Sequence, residues 1–146
     1  MIERWMRDPL TSLKGAIEKL RRGDEGDFKQ ALIIADHATE AIMRNYLIFE
    51  KRDECPRNYP KLLEKVRNRS KVPTDVIEVI MTYRMIRDGF QHHNIEKIRE
   101  GLKGTTTGLT LEKSYLEEYL NAVTKLFEGL TGIKLGTEGD QDAKAE

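Results

Sequence analysis

Apolar residues return every three or four positions along most of this chain, a spacing that places them on one face of an α-helix. Leu10, Leu13, Ile17 and Leu20 form the first such stripe. Asp8-Pro9 ahead of it reads as an N-cap followed by proline at the first helical position. Gly23 reads as its stop, with Arg21 and Arg22 placed to favour the negative end of the helix dipole. A second helix is expected from about residues 24–27 to residue 50, with Phe28, Ala31, Leu32, Ala35, Ala38, Ile42, Tyr46 and Phe49 as its buried stripe. Its small residues, Ala31, Ala35, Ala38 and Ala41, permit close approach by a neighbouring helix.

Pro56, Asn58 and Pro60 mark residues 51–60 as a loop. A short helix over about residues 60–69 follows, with Leu62, Leu63 and Val66 facing inward, and residues 70–73 break it. Thr74 is suited to cap a fourth helix, helped by Asp75 and Glu78 in its first turn. That helix carries Val76, Val79, Ile80, Tyr83, Ile86 and Phe90 on one stripe, with Arg84, Arg87, Asp88 and Gln91 beside it. His92-His93-Asn94 marks its end, residues 95–102 add a turn or two, and residues 101–108 make a flexible or extended connection. Residues 105–110 carry a weak β signal, but no segment alternates strongly enough to build a sheet. Leu111, Tyr115, Leu116, Tyr119, Leu120, Val123, Leu126 and Phe127 define a last helix over about residues 111–130. The expectation is an all-α antiparallel bundle of about five helices, one domain over residues 1–135, with a polar, acidic tail at 136–146 predicted to be disordered.

Composition narrows the function classes. Of 146 residues, 38% are hydrophobic and 34% charged, which fits a helical core under long solvated faces. Basic and acidic residues number 25 each, so no global basic field attracts nucleic acid and any such binding depends on a local patch. A lone cysteine, Cys55, excludes an internal disulfide and a cysteine-based zinc site. No window approaches the roughly 20 apolar residues of a membrane-spanning helix, and residues 1–10 lack a signal-peptide pattern. These features predict a soluble, cytoplasmic protein without membrane attachment.

The chemistry is concentrated in Arg87-Asp88-Gly89-Phe90-Gln91-His92, followed at once by His93. Arginine carries a permanent charge on a planar fork of donors that matches phosphate, and histidine moves protons near neutral pH. Five residues of ideal helix turn by about 500°, which leaves Arg87 and His92 about 140° apart. Both can serve one pocket only if the helix distorts near Gly89 or a second subunit completes the site.

Arginine, four residues and histidine at the end of the fourth helix of a small helical protein resemble the HEPN superfamily (higher eukaryotes and prokaryotes nucleotide-binding). Its signature is arginine, four to six residues, histidine. Asp88 stands where that family most often has asparagine. Ala31, Ala35, Ala38, Glu40 and Leu47 are similar to the family's long alanine-rich helix. The resemblance spans about residues 10–130.

It implies a metal-independent endoribonuclease without cofactors, acting as a homodimer in a toxin–antitoxin, defence or RNA-processing role. The partners it implies are RNA and a cognate antitoxin or nucleotidyltransferase. Carried over, Arg87 binds the scissile phosphate, and His92 acts as base toward the ribose 2′-OH or as acid toward the leaving oxygen. His93 takes the second of those roles or is only a neighbour, and Asp88 orients a histidine or steadies Arg87. The alternative is a catalytically inactive HEPN-like module that binds nucleotide, nucleic acid or a protein partner.

Substrate capture has its own candidate. Residues 51–71 hold eight basic side chains against three acidic ones, a local excess of five. Lys61, Lys65, Arg67 and Arg69, joined by Arg84 on the fourth helix, are the expected RNA-binding residues, and Tyr59 offers a face for base stacking. Plainer roles compete at each position. Arg87 fits a surface ion pair with Glu78 or Asp88. His92 and His93 suit a helix C-terminus, and His37 suits a partly buried, hydrogen-bonded place.

Overall fold

The structure, a computed structural model, describes residues 3–23, 25–91 and 113–135. The expected turns at 95–102, the connection at 101–108, the weak β signal at 105–110 and the tail at 136–146 all lie outside the described residues. So do His92 and His93, together with the side chains of residues 25–27, 89–91 and 113–114.

Five α-helices and no strand are present among the described residues: α1 (Arg4–Arg22), α2 (Glu25–Asn45), α3 (Tyr59–Arg69), α4 (Thr74–Gln91) and α5 (Lys113–Thr131). They form an all-α bundle around one core, in which α2 packs against each of the other four. The core is built from the expected stripes: Leu13 of α1, Leu32 and Ile42 of α2, Leu62 of α3, Ile80 and Ile86 of α4, and Leu116 and Phe127 of α5 are all fully enclosed. Burying each such side chain contributes about 1.5–3 kcal/mol.

The first helix begins earlier than its sequence suggests. Glu3, not Asp8, stands at its cap, and the carbonyl of Glu3 accepts from Met6 N at 3.0 Å. Trp5 and Met6 supply the reason, since both are buried and extend the apolar stripe by a turn. Trp5 meets the Tyr46 ring edge-on, with centroids 6.3 Å apart. Pro9 therefore lies inside α1. Having no N–H, it leaves the carbonyl four residues back without an intrahelical donor. That carbonyl belongs to Trp5, and Asn45 Nδ2 donates to it at 2.9 Å.

The far end of α2 also departs from expectation. Residues Tyr46–Glu50 continue it with π geometry, and Lys51 N reaches back to Tyr46 O at 3.0 Å. The wider turn changes the rotation per residue. Tyr46 and Leu47 stay buried, while Ile48 is 43% and Phe49 53% exposed, so Phe49 leaves the stripe assigned to it. Arg52, at φ 54°, turns the chain away from the helix axis.

α3 follows its signals closely. Asn58 Oδ1 accepts from Lys61 N at 3.0 Å, and Pro60 occupies the first turn. Tyr46 Oη donates to Arg69 O at 3.1 Å and ties the end of α3 to α2. At the start of α4, Ile77 N bonds Pro73 O at 3.3 Å, and Thr74 is the first helical residue instead of its cap. In α5, Tyr119 packs on Tyr83 with ring centroids 5.1 Å apart. Gly132, at φ 77°, ends the helix in the left-handed conformation that glycine adopts without strain.

Candidate functional site

α2 and α4 face one another along a seam that is polar at one end. On α2, Asp36, Glu40 and Arg44 follow at intervals of four and share a face. On α4, Arg84, Arg87 and Asp88 do the same at intervals of three and four. The two sets interlock. Arg84 Nη1 donates to Asp36 Oδ2 at 2.9 Å and to Glu40 Oε1 at 2.8 Å. Arg87 Nε lies 3.0 Å from the same Asp36 oxygen, and Arg87 Nη2 lies 3.3 Å from Asp88 Oδ1. The Nε–H of Arg87 is not aligned with Asp36 Oδ2, so that contact is an ion pair and not a hydrogen bond.

Two further contacts shape the cluster. The Arg84 guanidinium stacks over the Tyr59 ring at 4.0 Å, within cation–π range. Arg44 is committed to structure: its Nε donates to Glu40 Oε2 at 2.9 Å, while Nη1 and Nη2 hold the carbonyls of Pro56 and Arg57 at 2.6 and 3.2 Å. Arg44 thereby straps the loop after α2 onto the helix.

Burial decides the electrostatics. Asp36 is fully enclosed. Desolvation holds its carboxyl above the usual range, although the charges of Arg84 and Arg87 pull it back. Glu40 is partly open. Burial pushes it up, but hydrogen bonds from Arg84 and Arg44 outweigh that and leave it below the usual range. The Tyr59 hydroxyl is pushed well above its ordinary value by burial and by the nearby Asp36 charge. Asp36 Oδ1 and Tyr59 Oη are enclosed polar atoms with no hydrogen-bond partner among the described residues.

The expected site residues fall into two groups. Arg84, Arg87 and Asp88 come together, and both arginines line an open groove of about 420 Å³ with His37, Glu40, Ala41 and Arg44. Arg87 is only 6% exposed, so it is not a surface arginine, and its partners are Asp36 and Asp88 instead of Glu78. Arg84 is held by Asp36 and Glu40. His37 is exposed, contrary to the partial burial expected of it. α4 keeps α-helical geometry through Gln91, Gly89 included.

Lys61, Lys65 and Arg69 form the second group, along a separate groove of about 530 Å³ with Pro56, Glu64 and Asn68. Lys65 Nζ and Arg69 Nη2 both contact Asp53, at 3.1 and 3.0 Å, which reduces the basic excess there. Arg67 is exposed on the same helix. Asp36 was the residue that sequence reasoning missed. Its signal is the ladder Asp36–Glu40–Arg44 running beside the alanine stripe, opposite an equally spaced Arg84–Arg87–Asp88.

Among the described residues, no group of three His, Cys, Asp or Glu side chains is placed to hold a metal ion. No described helix is long and apolar enough to cross a membrane. Comparison with protein-family models, with curated proteins and with solved structures returns no match. In chemical terms, the seam places two guanidinium groups, each paired with carboxylates, at the wall of an open groove.

Proposed function

We propose that the chain is a metal-independent endoribonuclease of HEPN type. It acts as a cytoplasmic homodimer in a toxin–antitoxin, defence or RNA-processing setting. The observation that carries this reading is the placement of Arg87, whose guanidinium is held at the wall of the α2–α4 groove beside Arg84. The RxxxxH pattern of residues 87–92 supports it from the sequence side.

In this mechanism Arg87 and Arg84 receive the scissile phosphate and stabilise the charge that develops on it. His92 takes the proton of the ribose 2′-OH, whose oxygen attacks phosphorus and expels the 5′ oxygen of the next nucleotide. A second imidazole, from His93 or from the partner subunit, returns a proton to that leaving oxygen. Asp88, with one oxygen 3.3 Å from Arg87, steadies the guanidinium. Lys61 and Arg67 on α3 guide the strand by its phosphates.

The test is cleavage of single-stranded RNA in EDTA. The intact protein is expected to cut RNA but spare an all-deoxy strand, and Arg87→Ala and His92→Ala are each expected to abolish cutting with the fold retained. Each cleft is expected to draw its arginine from one chain and its histidine from the other. Mixing the two inactive variants then restores activity, because one cleft of each mixed dimer is intact. No cleavage by the intact protein, with EDTA or with added metals, overturns the reading.

The charge balance of the seam favours a second reading. Asp36, Glu40 and Asp88 match Arg44, Arg84 and Arg87 one for one, so the cluster presents little net positive charge to an incoming phosphate. On that basis the chain is a catalytically inactive module of the same fold that binds nucleotide, nucleic acid or a protein partner. RNA binding without cleavage, unaffected by His92→Ala, identifies it.

A further inference from the structure

We propose that Asp36 is the positioning residue of this site, setting where the Arg87 guanidinium stands; the inference rests on the ribonuclease reading above. Three observations carry it. Asp36 is fully enclosed, on a helix that packs against all four others, so its carboxylate has one fixed position in the bundle. A single oxygen of that carboxylate meets both arginines, Arg84 at 2.9 Å and Arg87 at 3.0 Å, although they arise a turn apart on a different helix. Asp88 Oδ1 also meets both arginines, but at the longer distances of 3.7 Å to Arg84 and 3.3 Å to Arg87, and the side chains of Asp88 and Glu40 are 27% and 29% exposed where Asp36 is enclosed.

Long arginine side chains have many rotamers, and fixing one costs entropy unless a rigid partner selects it. Asp36 is that partner. It draws the Nε edge of Arg87 toward the core, while Asp88 meets Nη2 at 3.3 Å. It also keeps Arg84 in register with Arg87, so one phosphate can meet two guanidiniums whose separation is already set. Asp36 touches no substrate itself, because its carboxylate is closed off from the groove. Misplacement of such a group by about 1 Å is enough to slow a reaction by about a hundredfold while leaving binding intact.

The decisive variant is Asp36→Asn, which keeps size and one acceptor but removes the charge. RNA affinity, measured on a non-cleavable 2′-deoxy strand, is expected to stay within about threefold, while kcat falls about 10- to 100-fold. Rotation of the Arg87 guanidinium, read from its nitrogen resonances, is expected to be slow in the parent protein and faster in the variant. An unchanged kcat, or a loss of affinity equal to the loss of kcat, overturns the proposal.

If Asp36→Asn does not fold, Asp36→Glu keeps the charge and displaces the oxygen by one methylene. It is expected to show the same kcat loss at unchanged affinity, and parent-level kcat there also overturns the proposal. Where the parent protein cleaves nothing, the ribonuclease reading falls separately. The Arg87 rotation then decides by itself: unchanged rotation in the variant overturns the role of Asp36, and faster rotation supports it.

Discussion

The α2–α4 seam and the outer face of α3 carry the same kinds of side chain and treat them in opposite ways. At the seam, Asp36 is closed off from water and two arginines converge on one of its oxygens. On the α3 side, Asp53 gathers Lys65 and Arg69 in an equally simple pattern, but Asp53 is about a quarter exposed and Arg69 more than half, where Asp36 is enclosed. The pairs look alike as distances and differ in consequence. A buried charge has no solvent to fall back on, so its partners become obligatory. A solvated charge exchanges partners at little cost and remains available to a ligand. The seam therefore holds its geometry, and the charged pairs beside α3 exchange more readily.

The largest expected effect comes from deleting the buried carboxylate. Asp36→Ala leaves two arginines facing an empty, enclosed space and is expected to lower unfolding free energy by about 3 kcal/mol in urea denaturation. A loss no larger than that of a typical surface substitution would show that the seam behaves like α3.

Acid titration separates the regions by sign. The Asp36 carboxyl is raised above 3.8 by desolvation, so the folded state takes up a proton before the unfolded state does. Stability relative to Asp36→Asn is then expected to grow as pH falls through the raised value, and to be complete below 3.8. The Asp53 carboxyl is lowered, chiefly by the hydrogen bond from Lys65. Its stabilisation is present above 3.8 and is lost as pH falls through the lower, folded-state value. Urea midpoints for the parent, Asp36→Asn and Asp53→Asn, collected from neutral pH downward, should diverge in these opposite directions. Parallel curves would remove the distinction.

The smallest effect on the fold belongs to the open cations of α3. Lys61→Ala and Arg67→Ala are expected to leave the urea midpoint unchanged and to weaken RNA binding a few-fold each. The slope of log affinity against log salt should fall by about 0.7 per residue removed. An unchanged slope would take α3 out of the RNA track.

The pattern of apolar positions was enough to place the five helices of the described residues, because periodicity reports which face is buried. α3 was readable almost to the residue, since Asn58, Pro60 and Ser70 act locally. Two errors have separate causes, one distant in sequence and one in the local turn. Pro9 reads as a helix start because nothing near it in sequence reveals that Asn45 meets the carbonyl it leaves unpaired. Phe49 reads as core because a period of 3.6 was carried into a segment where the turn widens.

At the site, Arg84, Arg87 and Asp88 were legible from residue type and motif. Asp36 was not, because a carboxylate among alanines looks like a solvated residue until the opposing helix shows two arginines aimed at it. The side of the site that His92 and His93 would supply was legible as a motif alone.

The bond from Asn45 to the Trp5 carbonyl has one more consequence. Leucine and alanine surfaces can slide past one another by a helical turn and still find apolar neighbours, so greasy contact alone tolerates several alignments of α1 on α2. A single amide that fits only one carbonyl acts as a key between the two rods, since any slipped docking parts the two groups in a half-buried place. In this way a proline that weakens its own helix helps to fix the alignment of the hairpin on which the rest of the bundle is laid.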